Sequence, residues 1–153
     1  MALTYGLTTA ADMLAKFRRE RQRLLREVTS DDFFNFVVTA YHLIEWIEKD
    51  PSIPAAAKSD LACVRRDTFI ATCRDLTNAS KHFRLKANYQ NQVTSSASSE
   101  RGYGLGRYGA GGFGVGEESI TVELLDGTSF SALDLVDQVS RLWEAFFARH
   151  GLG

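Results

Sequence analysis

The sequence predicts a mainly α fold, a four-helix bundle with a small antiparallel β-hairpin inserted between helices 3 and 4. Apolar residues recur at helical spacing in four long stretches, which indicates four helices. Between the third and the fourth of these stretches, apolar and polar residues alternate over short runs, which indicates strands. With 153 residues, 44% of them hydrophobic and 24% charged, the chain suits one globular helical-bundle domain over residues 1–153.

The first helix is expected at about residues 10–28, with Thr8 or Thr9 as its N-cap. Clustered arginines supply charge and planar donors for phosphate, but Glu–Arg pairs on a solvated face produce the same pattern. Both interpretations of the basic face stay open, and Arg18 and Arg19 are candidate nucleic-acid contacts. The cations of this face are Lys16, Arg18, Arg19, Arg21, Arg23 and Arg26.

The second helix is expected at about residues 31–49, behind the start signal Thr29-Ser30-Asp31-Asp32. It is apolar around most of its circumference, which is typical of a helix in the middle of a bundle. His42 and Glu45 lie three residues apart on one face. They form either a weak metal-binding pair or a histidine at the core edge held by a neighbour.

A third helical region is expected at about residues 55–82, after a connection that contains both prolines of the chain. It can break near Arg65-Arg66-Asp67, and Arg65 and Arg66 are two further candidate nucleic-acid contacts. Cys63 and Cys73 lie in its apolar pattern without metal-ligand spacing. Both are therefore expected to be buried free thiols.

Alternation at 83–90 and at 119–125 predicts two strands that pair, and Asp126-Gly127 is a turn signal before a short third strand near 128–130. Residues 91–116 are rich in Ser and then in Gly, which predicts a flexible loop. This loop lacks the GxxxxGK[ST] phosphate motif. Its arginines and aromatic residues resemble RNA-binding tails and make it a candidate contact surface.

The last helix is expected at about residues 132–149, where large apolar residues recur at helical spacing. Ser131 with Asp134 resembles a capping box, and Gly151 is expected to end the helix. The second and last helices hold large apolar side chains in excess of what four helices are expected to cover, which predicts a homodimer. These include Trp46, Trp143, Phe146 and Phe147.

The net charge of −1 argues against a generally basic protein, but residues 1–90 carry a net +3 and residues 91–153 a net −4. A local basic face is therefore compatible with the composition. No apolar run approaches the roughly 18 residues of a membrane span and the N-terminus lacks a signal pattern. We expect a cytoplasmic protein without membrane contact, and its three histidines predict no metal or other cofactor.

The polar groups best suited to chemistry lie near the end of the third helical region. Arg74, Asn78, Lys81 and His82 share a stripe of about 100° if this segment is helical. Such a stripe can hold an anion or transfer protons, so these four are the candidate catalytic residues. It can equally be a solvated face or a hydrogen-bonded cluster at a helix-to-strand junction.

A four-helix unit whose third helix carries Arg, then a polar residue and a later His, resembles the HEPN superfamily of small prokaryotic helical domains. Arg74, Asp75 and His82 carry the resemblance, and the interval between Arg74 and His82 is longer than in that family. The resemblance implies a dimeric, metal-independent ribonuclease of a toxin–antitoxin or phage-defence system. His82 would then deprotonate the ribose 2′-hydroxyl and Arg74 would stabilise the phosphorane, with Lys81 and Asn78 supporting the phosphate.

The alternative function is a non-catalytic module that binds a protein partner or a nucleotide through the hairpin and the Gly-rich aromatic loop. The two functions differ in one structural respect. A ribonuclease needs Arg74 and His82 to line an open cleft, whereas in a binding module internal partners can hold both side chains.

Overall fold

Five helices and one three-stranded sheet make up the part of the chain that this computed structural model describes, residues 5–82, 93–101 and 117–153. The prediction of a mainly α protein with a small antiparallel sheet is confirmed. Within the described ranges, none of the helices is long and apolar enough to span a bilayer. The elements are α1 (Ala10–Arg26), α2 (Ser30–Lys49), α3 (Ala55–Arg66), α4 (Thr68–His82), β1 (Val93–Arg101), β2 (Glu117–Leu124), β3 (Ser129–Ser131) and α5 (Ala132–Arg149).

Short-range capping determines where α1 and α2 begin. The Thr9 hydroxyl accepts the Asp12 N–H at 3.1 Å and the Asp12 carboxylate accepts the Thr9 N–H at 2.9 Å, which completes a capping box. The Thr29 hydroxyl caps α2 through an amide of its first turn. The buried Asp50 carboxylate accepts the Ala10 N–H at 2.8 Å, so the end of α2 is tied to the start of α1.

The helical region predicted at 55–82 forms two helices, so the expected count of four helices is wrong. The backbone is extended at Asp67 (φ −65°, ψ 134°), which ends α3. The Asp67 carboxylate accepts the N–H groups of Phe69 at 2.8 Å and Ile70 at 3.1 Å. Because this carboxylate satisfies two amides that the first turn leaves unpaired, a new helix starts at the expected break.

The sheet has β2 at its centre, antiparallel to β1 on one side and to β3 on the other. The predicted second and third strands and the turn at Gly127 (φ +84°) are confirmed. The strand paired with β2 is Val93–Arg101, and the predicted pairing of 83–90 with 119–125 is not confirmed. Residues 83–90 lie outside the described residues, and the predicted flexible loop at 91–116 contains a strand.

Tertiary pairing explains why a Ser-rich segment forms β1. Its sequence, VTSSASSER, has little intrinsic strand preference, but strand formation depends strongly on context. Alternate β2 residues Ile120, Val122 and Leu124 are buried in the core, which holds β2 in place. The edge of β2 then pairs with β1 from Ser95 opposite Glu123 to Arg101 opposite Glu117.

Both ends of α5 follow the sequence signals. The Ser131 hydroxyl accepts the Asp134 N–H at 3.2 Å and the Asp134 carboxylate accepts the Ser131 N–H at 3.0 Å, which confirms the capping box. Gly151 has a φ of +64°, a conformation that glycine adopts without strain. The amides of Gly151 and the next residue return to carbonyls of the last turn in a Schellman motif.

The centre of the core is aromatic. Trp143, Phe146 and Phe147 are fully buried with their rings in edge-to-face contact. The Trp143 indole N–H donates to the Ala40 carbonyl at 3.1 Å, which satisfies this polar group inside the core. Trp46 is partly buried against the same core. The side chains that suggested a homodimer are therefore largely covered within one chain.

The two cysteines have different environments. Cys73 on α4 is buried, whereas Cys63 on α3 is exposed, and both are free thiols. Leu61 and Val64 direct the apolar side of α3 into the core. Cys63 lies outside that side, so the prediction that both thiols are buried is wrong for Cys63.

Candidate functional site

α4 carries the four candidate catalytic residues in its C-terminal half. Arg74 and Asn78 are half-buried, whereas Lys81 is exposed. Their spacing puts these three residues on one side of the helix. His82 is the last residue of α4, and its side chain lies outside what the structure describes. The helix thus brings three of the four residues together, and the position of the imidazole stays a prediction.

Arg74 is bound to the carboxylate of the neighbouring residue. Its Nε and Nη2 atoms donate to Asp75 Oδ1 at 2.9 Å and 2.8 Å. The Arg74 side chain is 27% exposed, whereas that of Asp75 is completely buried. Hydrogen bonds from two guanidinium nitrogens fix the orientation of the planar group as well as its position. Arg74 is therefore a pre-oriented cation at the edge of the protein interior.

The same carboxylate joins α4 to the sheet. The Val93 N–H, at the start of β1, donates to Asp75 Oδ2 at 3.2 Å. One oxygen of Asp75 thus holds Arg74 and the other holds the backbone of β1. We call this arrangement of Arg74, Asp75 and the Val93 amide the α4–β1 clamp. Because Asp75 is buried, each of these donors contributes to satisfying a charge that water cannot reach.

Charge compensation limits what Arg74 can do in catalysis. A cation lowers the energy of a phosphorane through charge that is available to the reacting phosphate. Much of the Arg74 charge is balanced by Asp75 at hydrogen-bond distance. The geometry therefore favours a structural role for Arg74 over a role in stabilising a transition state.

Two potential nucleophiles on α4 are inaccessible. Burial raises the pKa of the Cys73 thiol far above its ordinary value, so Cys73 stays protonated. Thr77 is also buried, and among the described residues its hydroxyl has no hydrogen-bond partner that could act as a base. Neither side chain can attack a substrate from this position.

The predicted nucleic-acid contacts on α1 differ in their surroundings. Arg18 donates from Nε and Nη2 to the two carboxylate oxygens of Glu144 on α5, at 2.8 Å and 2.6 Å. This hydrogen bond lowers the pKa of Glu144 and raises that of Arg18. Arg19 is exposed, and within the described residues it forms no ion pair. Arg18 thus joins two helices, while Arg19 faces solvent.

The predicted contacts on α3 are engaged within the protein. Arg65 Nη2 lies 2.6 Å from Glu48 Oε1 on α2. Arg66 Nε donates to the Ala62 carbonyl of its own helix at 3.2 Å. Both side chains are largely exposed, but each has a protein acceptor. Arg65 and Arg66 therefore differ from Arg19, because each of them donates to an acceptor within the protein.

The pair His42 and Glu45 shows no arrangement for metal binding. Glu45 forms an ion pair with Lys49, which is the main cause of its lowered pKa. Desolvation lowers the pKa of His42 and Lys16 adds to this effect, while Glu45 opposes it. Within the described residues, no group of three or more His, Cys, Asp and Glu side chains could hold a metal ion.

Sequence inspection missed two buried carboxylates that organise the charged groups. Asp75 was considered only as the polar residue that follows Arg74, and the structure buries it in the clamp. Glu20, which lies in the sequence among the cations of the predicted basic face, is also buried and contacts Lys16 Nζ and Arg23 Nη1, each at 3.1 Å. The spacing of Lys16, Glu20 and Arg23 by four and three residues was the available signal for the second cluster.

Comparison with protein-family models, curated proteins and solved structures finds no match for this chain.

Proposed function

We propose that this protein is a non-catalytic RNA-binding module. The observation that carries the proposal is the α4–β1 clamp, in which the buried Asp75 holds Arg74 and the backbone of β1 at once. In the clamp, Arg74 and Asp75 stabilise the junction between α4 and β1. Binding then falls to cationic and polar groups that remain accessible, such as Lys81 on α4 and the exposed arginines of α1.

The proposal includes a finer description of the fold. We propose that α1, α2, α4 and α5 act as a four-helix bundle, with the sheet inserted between the last two and α3 as a connecting helix. Contacts of α1 with α2, of α2 with α4, and of α5 with α1, α2 and α4 support this arrangement. A rigid bundle would hold the charged faces of α1 and α4 at constant positions for an extended ligand.

RNA suits these faces because its phosphates are regularly spaced anions. Lys81 offers a charged ammonium, and the Asn78 amide offers donors one turn away. Contacts of this kind give affinity that depends on salt concentration and little on sequence. The expected ligand is therefore single-stranded RNA without a strict sequence requirement.

Metal-independent RNA cleavage is the second candidate function, in the manner of the HEPN superfamily. It is favoured by a specific observation: the partly exposed Arg74 is held in one orientation on the same helix side as Asn78 and Lys81, and α4 ends at His82. A guanidinium fixed in this way can position a phosphate for attack. His82 would act as the base.

One experiment separates the two functions. The wild-type protein is incubated with labelled single-stranded RNA in EDTA, and binding is followed by fluorescence anisotropy while cleavage is followed on a gel. We expect binding without cleavage, and weaker binding by Lys81→Ala with a salt slope reduced by about 0.7. Cleavage that Arg74→Ala and His82→Ala abolish without loss of helical signal would establish the ribonuclease. Absence of both binding and cleavage would overturn both proposals.

The homodimer also stays a proposal. The argument from large apolar residues is weaker than the sequence suggested, because Trp143, Phe146 and Phe147 are buried within one chain. Exposed apolar side chains remain elsewhere on the described surface, among them Leu25 and Phe34. Sedimentation at micromolar concentration should show the dimer if these residues contribute to an interface.

A further inference from the structure

Three arginines of α1 form a line on its outer surface. Arg19, Arg23 and Arg26 occupy positions i, i+4 and i+7, which lie within about 60° of helix circumference. They extend along roughly 10.5 Å of the helix axis at 1.5 Å per residue. All three are exposed. We call these three residues the α1 ridge.

The ridge differs from the other cations of α1 in its partners. Lys16 donates to Thr39 at 2.6 Å and contacts Glu20, and Arg18 is bound to Glu144. These contacts commit Lys16 and Arg18 to the packing of α1 against its neighbours. Arg19 and Arg26, in contrast, form no ion pair within the described residues.

Arg23 is an intermediate case that helps to orient the ridge. Its Nη1 atom contacts Glu20 at 3.1 Å, but its side chain remains 53% exposed. Glu20 is shared with Lys16, so a single carboxylate faces two cations. The local charge is therefore positive even where an acidic residue is present. Glu27, the C-cap of α1, lies four residues after Arg23, but among the described residues it forms no ion pair with the ridge.

We infer that the α1 ridge binds consecutive phosphates of single-stranded RNA, an assignment that rests on the proposed RNA-binding function. Guanidinium groups match the geometry of phosphate oxygens and donate two hydrogen bonds at once. Arg19 and Arg26 have no counter-charge among the described residues, and Arg23 shares Glu20 with Lys16, so the line keeps a net positive charge that an equally linear polyanion can compensate. An extended strand can follow the helix axis and contact each arginine in turn, whereas a compact anion reaches one or two.

A structural explanation of the ridge also exists, and the test has to separate it from binding. Basic residues in the last turn of a helix stabilise its negative dipole end, and Arg23 and Arg26 lie there in α1. This explanation predicts an effect on stability and none on RNA affinity. It also gives Arg19, one turn earlier, no role.

The decisive comparison is between two double variants with the same change in charge. Arg19→Gln with Arg26→Gln removes two charges of the ridge, and Arg65→Gln with Arg66→Gln removes two from α3. Affinity for a fluorescein-labelled oligouridine is measured by anisotropy at several salt concentrations, and folding is checked by circular dichroism. Because each single-strand phosphate contact contributes about 0.7 to the salt slope, the ridge variant should lose about 1.4 in slope and roughly 25-fold in affinity at 0.1 M salt. The α3 variant should bind within about twofold of wild type, since its arginines have acceptors in the protein.

The possible results separate the inference about the ridge from the proposal of RNA binding. If wild-type protein binds the oligouridine but the ridge and α3 variants lose affinity equally, the ridge is not the phosphate surface, although RNA binding stands. If the ridge variant binds the oligouridine as tightly as wild type does, the inference about the ridge is also wrong and RNA binding still stands. If wild-type protein fails to bind oligouridine and binds vesicles containing anionic lipid through the ridge, both the inference and the RNA-binding function are wrong.

Discussion

The α4–β1 clamp and the α1 ridge show two outcomes for the same residue type. Arg74 lies beside a fully buried carboxylate and is held by two hydrogen bonds, whereas Arg19 is exposed without an ion pair in the described part of the chain. The difference arises from what surrounds each guanidinium. A buried anion requires a partner, so it commits a nearby arginine to the structure. An arginine without such a neighbour is available to an external anion.

The comparison predicts its largest effect for Asp75→Ala. This change leaves Arg74 and the Val93 amide without their buried acceptor. A buried donor left without its acceptor costs about 1–3 kcal/mol, and this variant removes the acceptor of more than one donor. The matched change Arg19→Ala on α1 should alter stability by no more than about 0.5 kcal/mol, as for other exposed sites. Urea denaturation of both variants measures the difference.

A double-mutant cycle tests whether the clamp acts as a unit. Arg74→Ala alone leaves Asp75 buried without its cation, so it should also be strongly destabilising. The variant that lacks both side chains should lose less than the sum of the single changes. Additive losses would mean that Arg74 and Asp75 stabilise the protein independently and that the clamp is misassigned.

Local signals explain how much of the fold could be predicted. The capping boxes at Thr9 and Ser131 and the break at Asp67 use hydrogen bonds between residues two or three apart, which the sequence displays directly. β1 has no comparable local signal because its conformation depends on pairing with β2, more than fifteen residues later in the chain. Composition therefore predicted a flexible loop where tertiary contacts form a strand.

The candidate site was less predictable for a related reason. Helical periodicity grouped Arg74, Asn78 and Lys81 correctly on one side of α4, but it could not show that Asp75 is completely buried. Burial depends on the elements that pack over a residue, and here β1 reaches the Asp75 carboxylate. The same limitation applies to Glu20, which is buried and contacts both Lys16 and Arg23 of α1.

A smaller effect is expected for Asp12, a partly exposed carboxylate held by local donors. Hydrogen bonds from Thr8 and Thr9 lower the pKa of Asp12 from 3.8 to about 2. Because the folded pKa lies below the unfolded value, this contribution to stability is fully present above about pH 4 and is lost as the pH falls toward 2. Asp12→Asn should flatten the pH dependence of the melting temperature in this window. An unchanged profile would mean that other carboxylates dominate acid unfolding.

The smallest effect on stability is expected when residues 102–116 are replaced by Asn-Gly. Arg101 and Glu117 are already paired across β1 and β2, so a two-residue turn can connect them. Closing a shorter loop costs less entropy, by about 0.6 kcal/mol for each halving of length, so the melting temperature should stay constant or rise. This variant also sharpens the comparison with the α1 ridge. If the ridge carries RNA binding, affinity for the oligouridine is retained; a large loss of affinity in a variant that melts normally would assign binding to the Gly-rich segment instead.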